Sequence, residues 1–161
     1  MTASMRILLI AFLLIAQLAH GADVPGRVVR VVDGDTIVLE AGADRHRIRL
    51  AGIDAPERDQ PWGEASTREL RRQVAGRDVV VEWYKRDRYE RLIGIVWLDG
   101  TDVNLHMVDR GMAWHYKHYQ AEQAPENRAA YSAAETAAQA AGLGLWSEGE
   151  PVPPWEWRSR R

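Results

Sequence analysis

Short apolar runs bounded by turn signals, one of them alternating apolar and polar positions with the strand period of two, place the elements of this chain. Residues 27–32 are Val-rich and read as a first strand. Asp33-Gly34-Asp35 then makes a turn, and residues 36–40 resume extended structure. After a second turn at 41–44, residues 45–50 alternate: His46, Ile48 and Leu50 share one face, and Arg45, Arg47 and Arg49 share the other. The pattern changes at 63–75. Leu70 and Val74 fall on one helical stripe there, and Gly76 is positioned to end the helix. Residues 78–84 and 92–98 read as a fourth and a fifth strand, and Asp99-Gly100 turns the chain. Asp102 is placed to cap a short helix over 103–110, closed by Gly111. An Ala-rich third helix runs over 125–141 with Gly142 at its C-terminus. Pro151-Val152-Pro153-Pro154 is expected to end regular structure. There are no internal repeats.

Three strands in a meander, a helix, two further strands and two more helices predict an α+β fold that is mainly β. Specifically, they predict a five-stranded OB-type Greek-key barrel with three helices, an architecture that binds oligonucleotides on its strand face and loops. The chain has 161 residues, which suffices for one domain with a real core. The expected boundaries are a leader at 1–21, a barrel domain at 26–147, and a tail rich in Pro, Trp and Arg at 148–161.

The leader is read from Arg6, the uncharged apolar run of residues 7–16 and the small residues of Ala19-His20-Gly21, with cleavage expected after Gly21 or Ala22. The run is shorter than the ~20 residues that span a bilayer. The expectation is therefore an exported protein, periplasmic or extracellular, with no stable membrane association after cleavage. The chain has no cysteine, which removes disulfides, thiolate catalysis and cysteine-bound zinc. The formal net charge is −2, and loss of Arg6 with the leader takes it to about −3. That is the wrong sign for a generic nucleic-acid binder. The basic residues are clustered, however, in Arg45/Arg47/Arg49 and in Lys85/Arg86/Arg88/Arg91, and both clusters flank acidic motifs.

Those motifs are Asp33-Gly34-Asp35-Thr36, Asp54-Ala55-Pro56-Glu57 and Asp87-Arg88-Tyr89-Glu90-Arg91. Singly, each has a bland reading: an Asx turn, a helix entry and a solvated charge run. In combination, Asp35 lies just before the second strand, Arg49 and Asp54 bracket the end of the third, and Arg91 precedes the fifth. Adjacent barrel strands would bring these ends together. Carboxylates suit a hard cation and arginines suit phosphate, so the set points to metal-assisted phosphodiester cleavage. His106, His115 and His118 lack a carboxylate at matching helical spacing and read as surface or packing residues.

With those residues in hand, the chain resembles the staphylococcal nuclease (thermonuclease) family. The likeness is carried by Val32-Asp33-Gly34-Asp35-Thr36, by residues 49–57 and 87–91, and by Val103-Asn104, Gly111-Met112-Ala113 and Leu145-Trp146. The resemblance implies that Asp35, Asp54 and the Ala55 carbonyl bind Ca²⁺. It implies that Glu57 holds a metal-associated water and serves as general base, and that Arg49 and Arg91 grip the scissile phosphate. It further implies substrate contacts by Arg88 and Tyr89 and by a base-stacking tyrosine, either Tyr116 or Tyr119, because the local spacing slips there. The implied activity is hydrolysis of DNA and RNA with little sequence preference, leaving 3′-phosphates, by a monomer. Three readings compete: the nuclease, a non-catalytic nucleic-acid-binding OB module, and a calcium-binding structural domain. Retention of Asp35, Arg49, Asp54, Glu57 and Arg91 favours the enzyme.

Overall fold

The computed structural model describes residues 23–160. The expected leader lies outside them. Five long strands build the body: β1 (Asp23–Val31), β2 (Thr36–Ala41), β3 (Asp44–Leu50), β5 (Asp78–Arg86) and β6 (Leu92–Leu98). Two-residue strands β4 (Ile53–Asp54), β7 (Thr101–Asp102) and β8 (Trp114–His115) tie loops to this body. The helices are α1 (Gly63–Val74), α2 (Val103–Asp109), α3 (Pro125–Ala140) and α4 (Pro154–Ser159). No helix among the described residues is long and apolar enough to cross a membrane.

The long strands pair in the order β3-β2-β1-β5-β6, all antiparallel, and a parallel β3–β6 pairing closes the barrel. Closure removes the sheet edges that would otherwise expose unpaired backbone. The architecture is the OB-type barrel expected from the strand pattern. The alternation in β6 explains its fit: Leu92, Gly94, Val96 and Leu98 point inward, and their neighbours are only partly buried. Ile37, Leu39, Ile48, Leu50, Val79 and Val81 fill the same interior. One end is plugged by Leu70 and Val74 of α1, Met107 and Val108 of α2, and Tyr131 of α3.

The structure departs from expectation in the tail. Pro154 starts a fourth helix, α4, instead of ending regular structure. Proline at the first helical position loses nothing, because that N–H has no intrahelical partner. The strands also run longer at their ends: β1 begins at Asp23 and β5 continues to Arg86.

Asn104 holds the closure together. It is fully buried on α2, its Oδ1 accepts from the Val96 N–H, and its Nδ2 donates to the carbonyls of Ala51 and Gly94. One side chain thus links β6 to the chain leaving β3. Asn104→Ala would leave these buried backbone groups short of partners, at ~1–3 kcal/mol for each unsatisfied group. A loss of roughly 2–4 kcal/mol should appear as a lowered denaturant midpoint with an unchanged slope.

Candidate active site

The parallel β3–β6 seam pairs Ile48 with Leu92 and Arg49 with Ile93. Because side chains alternate along a strand, Arg49, Ile93 and Arg91 emerge on the same side, facing a cleft of about 640 Å³. Asp33, Asp35, Ala55, Glu57, Asp87, Arg88, Tyr89, Tyr116 and Tyr119 line this cleft as well. Every candidate catalytic, metal-binding or substrate-binding residue except Asp54 is therefore on its wall, and Asp54 is almost fully buried and bonded to Arg49.

Asp35 owes its position to the turn before β2. Its N–H donates to Asp33 Oδ1 (3.1 Å), and Leu50 N donates to its carbonyl (2.8 Å). Gly34 is required there: a Cβ would collide with Ser66 Oγ of α1 and with Ala55 Cβ. The Asp35 carboxylate accepts from Ala55 N at 2.8 Å and from Thr36 Oγ1 at 3.1 Å.

Arg49 lies between Asp35 and Asp54. Nε is 3.2 Å from Asp35 Oδ1, and Nη2 donates to Asp54 Oδ1 at 2.9 Å. Nη1 donates to the carbonyls of Leu50 (2.7 Å) and Ile53 (2.8 Å). Three of the five guanidinium hydrogens thus donate to protein acceptors, and Nε faces the Asp35 carboxylate as an ion pair. Burial alone would disfavour its charge, but Asp35, Asp54 and Asp33 outweigh that and hold its pKa above the ordinary value. Burial, reinforced by the charge of Asp35, pushes the Asp33 carboxyl up to about 6. Asp54 is raised by the same two causes, opposed by Arg158 and Arg49.

Glu57 begins a tight loop into α1. Gln60 closes the loop: its N–H donates to the Glu57 carbonyl (2.9 Å) and its Oε1 accepts from Glu57 N (3.0 Å). Gly63 passes so close to the Glu57 carbonyl that a Cβ there would overlap it. Trp62, just before, is held at φ 71°.

Arg91 is held by Asp87, whose Oδ2 accepts from Nε at 2.8 Å and faces Nη2 at 2.7 Å, while its Oδ1 accepts from the backbone N–H of Tyr89 and Arg91. Partial burial works against the Asp87 charge, but these hydrogen bonds win and hold the carboxyl below its usual range. Arg88 and Arg91 both lie over the Tyr89 ring, which is exposed. Tyr119 is also exposed, with Lys85 Nζ 5.1 Å from its ring centroid. Tyr116 is partly buried, with one ring face stacked on Trp155 at 5.4 Å between centroids.

Two groups at the site were not legible beforehand. Asp87 was part of a recognised motif, but its anchoring role needed the loop geometry. Arg158 of α4 is the larger surprise. Its Nη2 lies 2.9 Å from Asp54 Oδ2, and its Nη1 donates to Glu57 Oε1 at 2.7 Å. No sequence signal joins positions a hundred residues apart. The histidines serve elsewhere: His106 pairs with Glu69 at 2.9 Å, His115 is buried against Gln123, and His118 stacks near Tyr116.

Among the described residues, no three His, Asp or Glu side chains cluster closely enough to hold a metal by themselves. The candidate donor set is therefore two carboxylates, Asp35 and Asp54, with the Ala55 carbonyl. Its chemistry fits a hard cation that accepts mixed side-chain, backbone and water oxygens. The crowding fits too: burial, with the charge of Asp35 added, raises the proton affinity of Asp33 and of Asp54.

A closed OB-type barrel whose mouth gathers carboxylates and arginines in one cleft defines a class of phosphodiester-handling proteins. Comparison with known proteins places the chain within it. Residues 47–148 match the sequence profile of the staphylococcal nuclease homologues, and the chain belongs to that family. An "Uncharacterized endonuclease" of Escherichia coli is 44% identical over 141 residues, covering 87% of this chain and 88% of that protein. A Haemophilus influenzae protein of the same description is 39% identical over 133 residues, covering 82% and 71%. A "Micrococcal nuclease" of Shigella flexneri is 36% identical over 165 residues, covering 97% and 92%.

Two outcomes follow from this geometry. Arg49→Ala should destabilise the fold as well as the site, because it strands two buried carboxylates. Breaking such a pair costs ~3–5 kcal/mol, measurable by denaturant unfolding. Asp87→Asn should lower turnover by roughly tenfold by freeing Arg91, at about 1.4 kcal/mol per decade. It should also flatten acid unfolding. The native Asp87 carboxyl is depressed, so its contribution is present above the unfolded value of about 4 and is lost as pH falls through the lower folded value.

Proposed function

We propose that this chain, a hydrolase of the staphylococcal nuclease family, is a Ca²⁺-dependent endonuclease that cleaves DNA and RNA with little sequence preference and leaves 3′-phosphates. In this reading it acts as a monomer, exported to the periplasm or the exterior. The observation that carries the reading is the buried Asp35–Arg49–Asp54 assembly, which opens onto the same cleft as Glu57 and the Asp87-held Arg91. A non-catalytic binding module would have no need of a buried charge cluster at this spot.

Asp35, Asp54 and the Ala55 carbonyl would hold the cation. When bound, it would supply Lewis-acid stabilisation of the phosphate oxygens. In-line attack on a phosphodiester concentrates negative charge on the equatorial oxygens. Arg91 meets that charge from one side. Its Nη1 and half of its Nη2 are left over from the contact with Asp87, so it can present a two-donor edge to phosphate. Arg49 supplies a positive charge fixed in place by its protein partners. Both are oriented before substrate arrives, so little reorganisation is needed during the reaction. Glu57 is at the cleft wall with a partly exposed carboxylate, suited to taking a proton from the attacking water. Tyr89 and Tyr119 offer exposed rings to bases. Stacking is worth ~1–3 kcal/mol per base and tolerates any base, which accords with weak sequence preference.

Cleavage of DNA and RNA should stop with chelator and return with Ca²⁺. Mg²⁺ should substitute poorly, because it demands tighter octahedral geometry. End-labelled products should carry 3′-phosphate. Full activity in chelator would refute the cation assignment. Glu57→Gln should lower the single-turnover rate at saturating Ca²⁺ by roughly 10²–10⁴, and an unchanged rate would remove Glu57 as base.

A further inference from the structure

The C-terminal arm, residues 150–160, reaches the site at three points. Gln60 Nε2 donates to the Val152 carbonyl at 2.6 Å, which fastens the arm to the Glu57 loop. Trp155 stacks on Tyr116 with an interplanar angle of 20° and meets Trp114 edge-on. Arg158 spans both oxygens of Asp54, at 2.9 and 3.3 Å, and reaches Glu57 at 2.7 Å. Asp54 is 1% exposed, and its other partner is Arg49.

These contacts have a common sense. Arg158 places a positive charge on a carboxylate that the cation would need and on the carboxylate that would order its water. Trp155 covers the ring face of Tyr116 that a base would need. We propose that Arg158 is a residue of the active site that competes with the divalent cation for Asp54 and Glu57, so that cation binding releases the C-terminal arm and uncovers Tyr116. The inference rests on the cation reading above.

The physical argument is mutual exclusion. A divalent cation held by Asp54 would take the oxygen lone pairs now directed at Arg158. Its charge would also lie within a few ångströms of the guanidinium, well inside the ~10 Å range over which salt leaves charges unscreened. Arg49 does not face this conflict, because its remaining bonds to Asp35, Leu50 and Ile53 hold it in place. Among the described residues the Arg158 side chain bonds only the two carboxylates themselves; it is 44% exposed and sits on a helix of six residues. It is the partner that can leave. Bound cation and substrate would thus share one linkage, because freeing Asp54 also frees the face of Tyr116.

Calorimetric titration of the purified protein with calcium chloride tests this. Arg158→Ala should bind Ca²⁺ roughly three- to tenfold more tightly than wild type, since a ligand gains what its competitor no longer holds. Arg158→Lys should move the affinity back toward wild type. In wild type, hydrogen exchange across α4 should quicken on adding Ca²⁺ and stay unchanged elsewhere on the barrel. Equal or weaker Ca²⁺ binding by Arg158→Ala, or slower exchange in α4 with Ca²⁺, would overturn the competition. Absence of calcium binding in wild type and variant alike would overturn the cation reading, and this inference with it. The exchange measurement needs no variant, so it decides the matter even if a substitution impairs folding.

Discussion

A buried arginine sets the terms for the mouth of this barrel. Taking the Arg49 guanidinium out of water costs several kcal/mol unless charges and hydrogen-bond acceptors replace the lost hydration. The chain provides them from three consecutive pieces: Asp35 from the turn before β2, the Leu50 carbonyl at the end of β3, and Asp54 with the Ile53 carbonyl from β4. Each piece is placed by its own backbone constraint. The Asp33 side chain and the contact of Gly34 with Ser66 fix the first. Pairing of β4 with β8 fixes the last, with Asp54 opposite Trp114. The charge cluster is thus a structural joint and a chemical site at once. Mutations there should rarely separate stability from activity.

The two arginines at the cleft divide the work unequally. Arg49 donates three hydrogens to the protein, sets its Nε against Asp35, and acts mainly as a fixed charge. Arg91 is held along one edge by Asp87 and keeps its other edge free. The net negative chain has its counterpart in the cleft itself: Arg49, Lys85, Arg88, Arg91 and Arg158 line it beside Asp33, Asp35, Glu57, Asp87 and Glu122. The cation proposed above would tip that balance towards an anionic substrate, because a bound cation is often the largest local charge in a site.

Much of this was legible in the sequence because the signals are local. Period-two alternation marked β3, apolar runs between turns marked β2 and β6, Gly76 and Gly111 marked helix ends, and the close spacing of Arg49, Asp54 and Glu57 pointed to one site. The long-range facts were hidden. The parallel β3–β6 closure joins segments some forty residues apart, and nothing in either strand announces the partner. The run Pro151-Val152-Pro153-Pro154 looked like a terminator because prolines forbid a preceding helix. Its last proline instead starts one. That Trp155 stacks on Tyr116 while Tyr119 is exposed was equally hidden, because the tail's docking has no local signal.

That tail shows why a site residue can escape motif reading altogether. Motifs are recognised when chemistry needs fixed spacing, and fixed spacing arises when one element carries several groups. Arg158 meets Asp54 and Glu57 only because Gln60 fastens Val152 and because Trp155 finds an aromatic surface built by Trp114 and Tyr116. The aromatic contacts choose where the arm lies; the ion pairs then follow from the charge already there. An arm docked by general hydrophobic packing can bring a side chain to a reactive centre without any local signature. A buried excess of carboxylate makes it energetically worthwhile for that side chain to be an arginine.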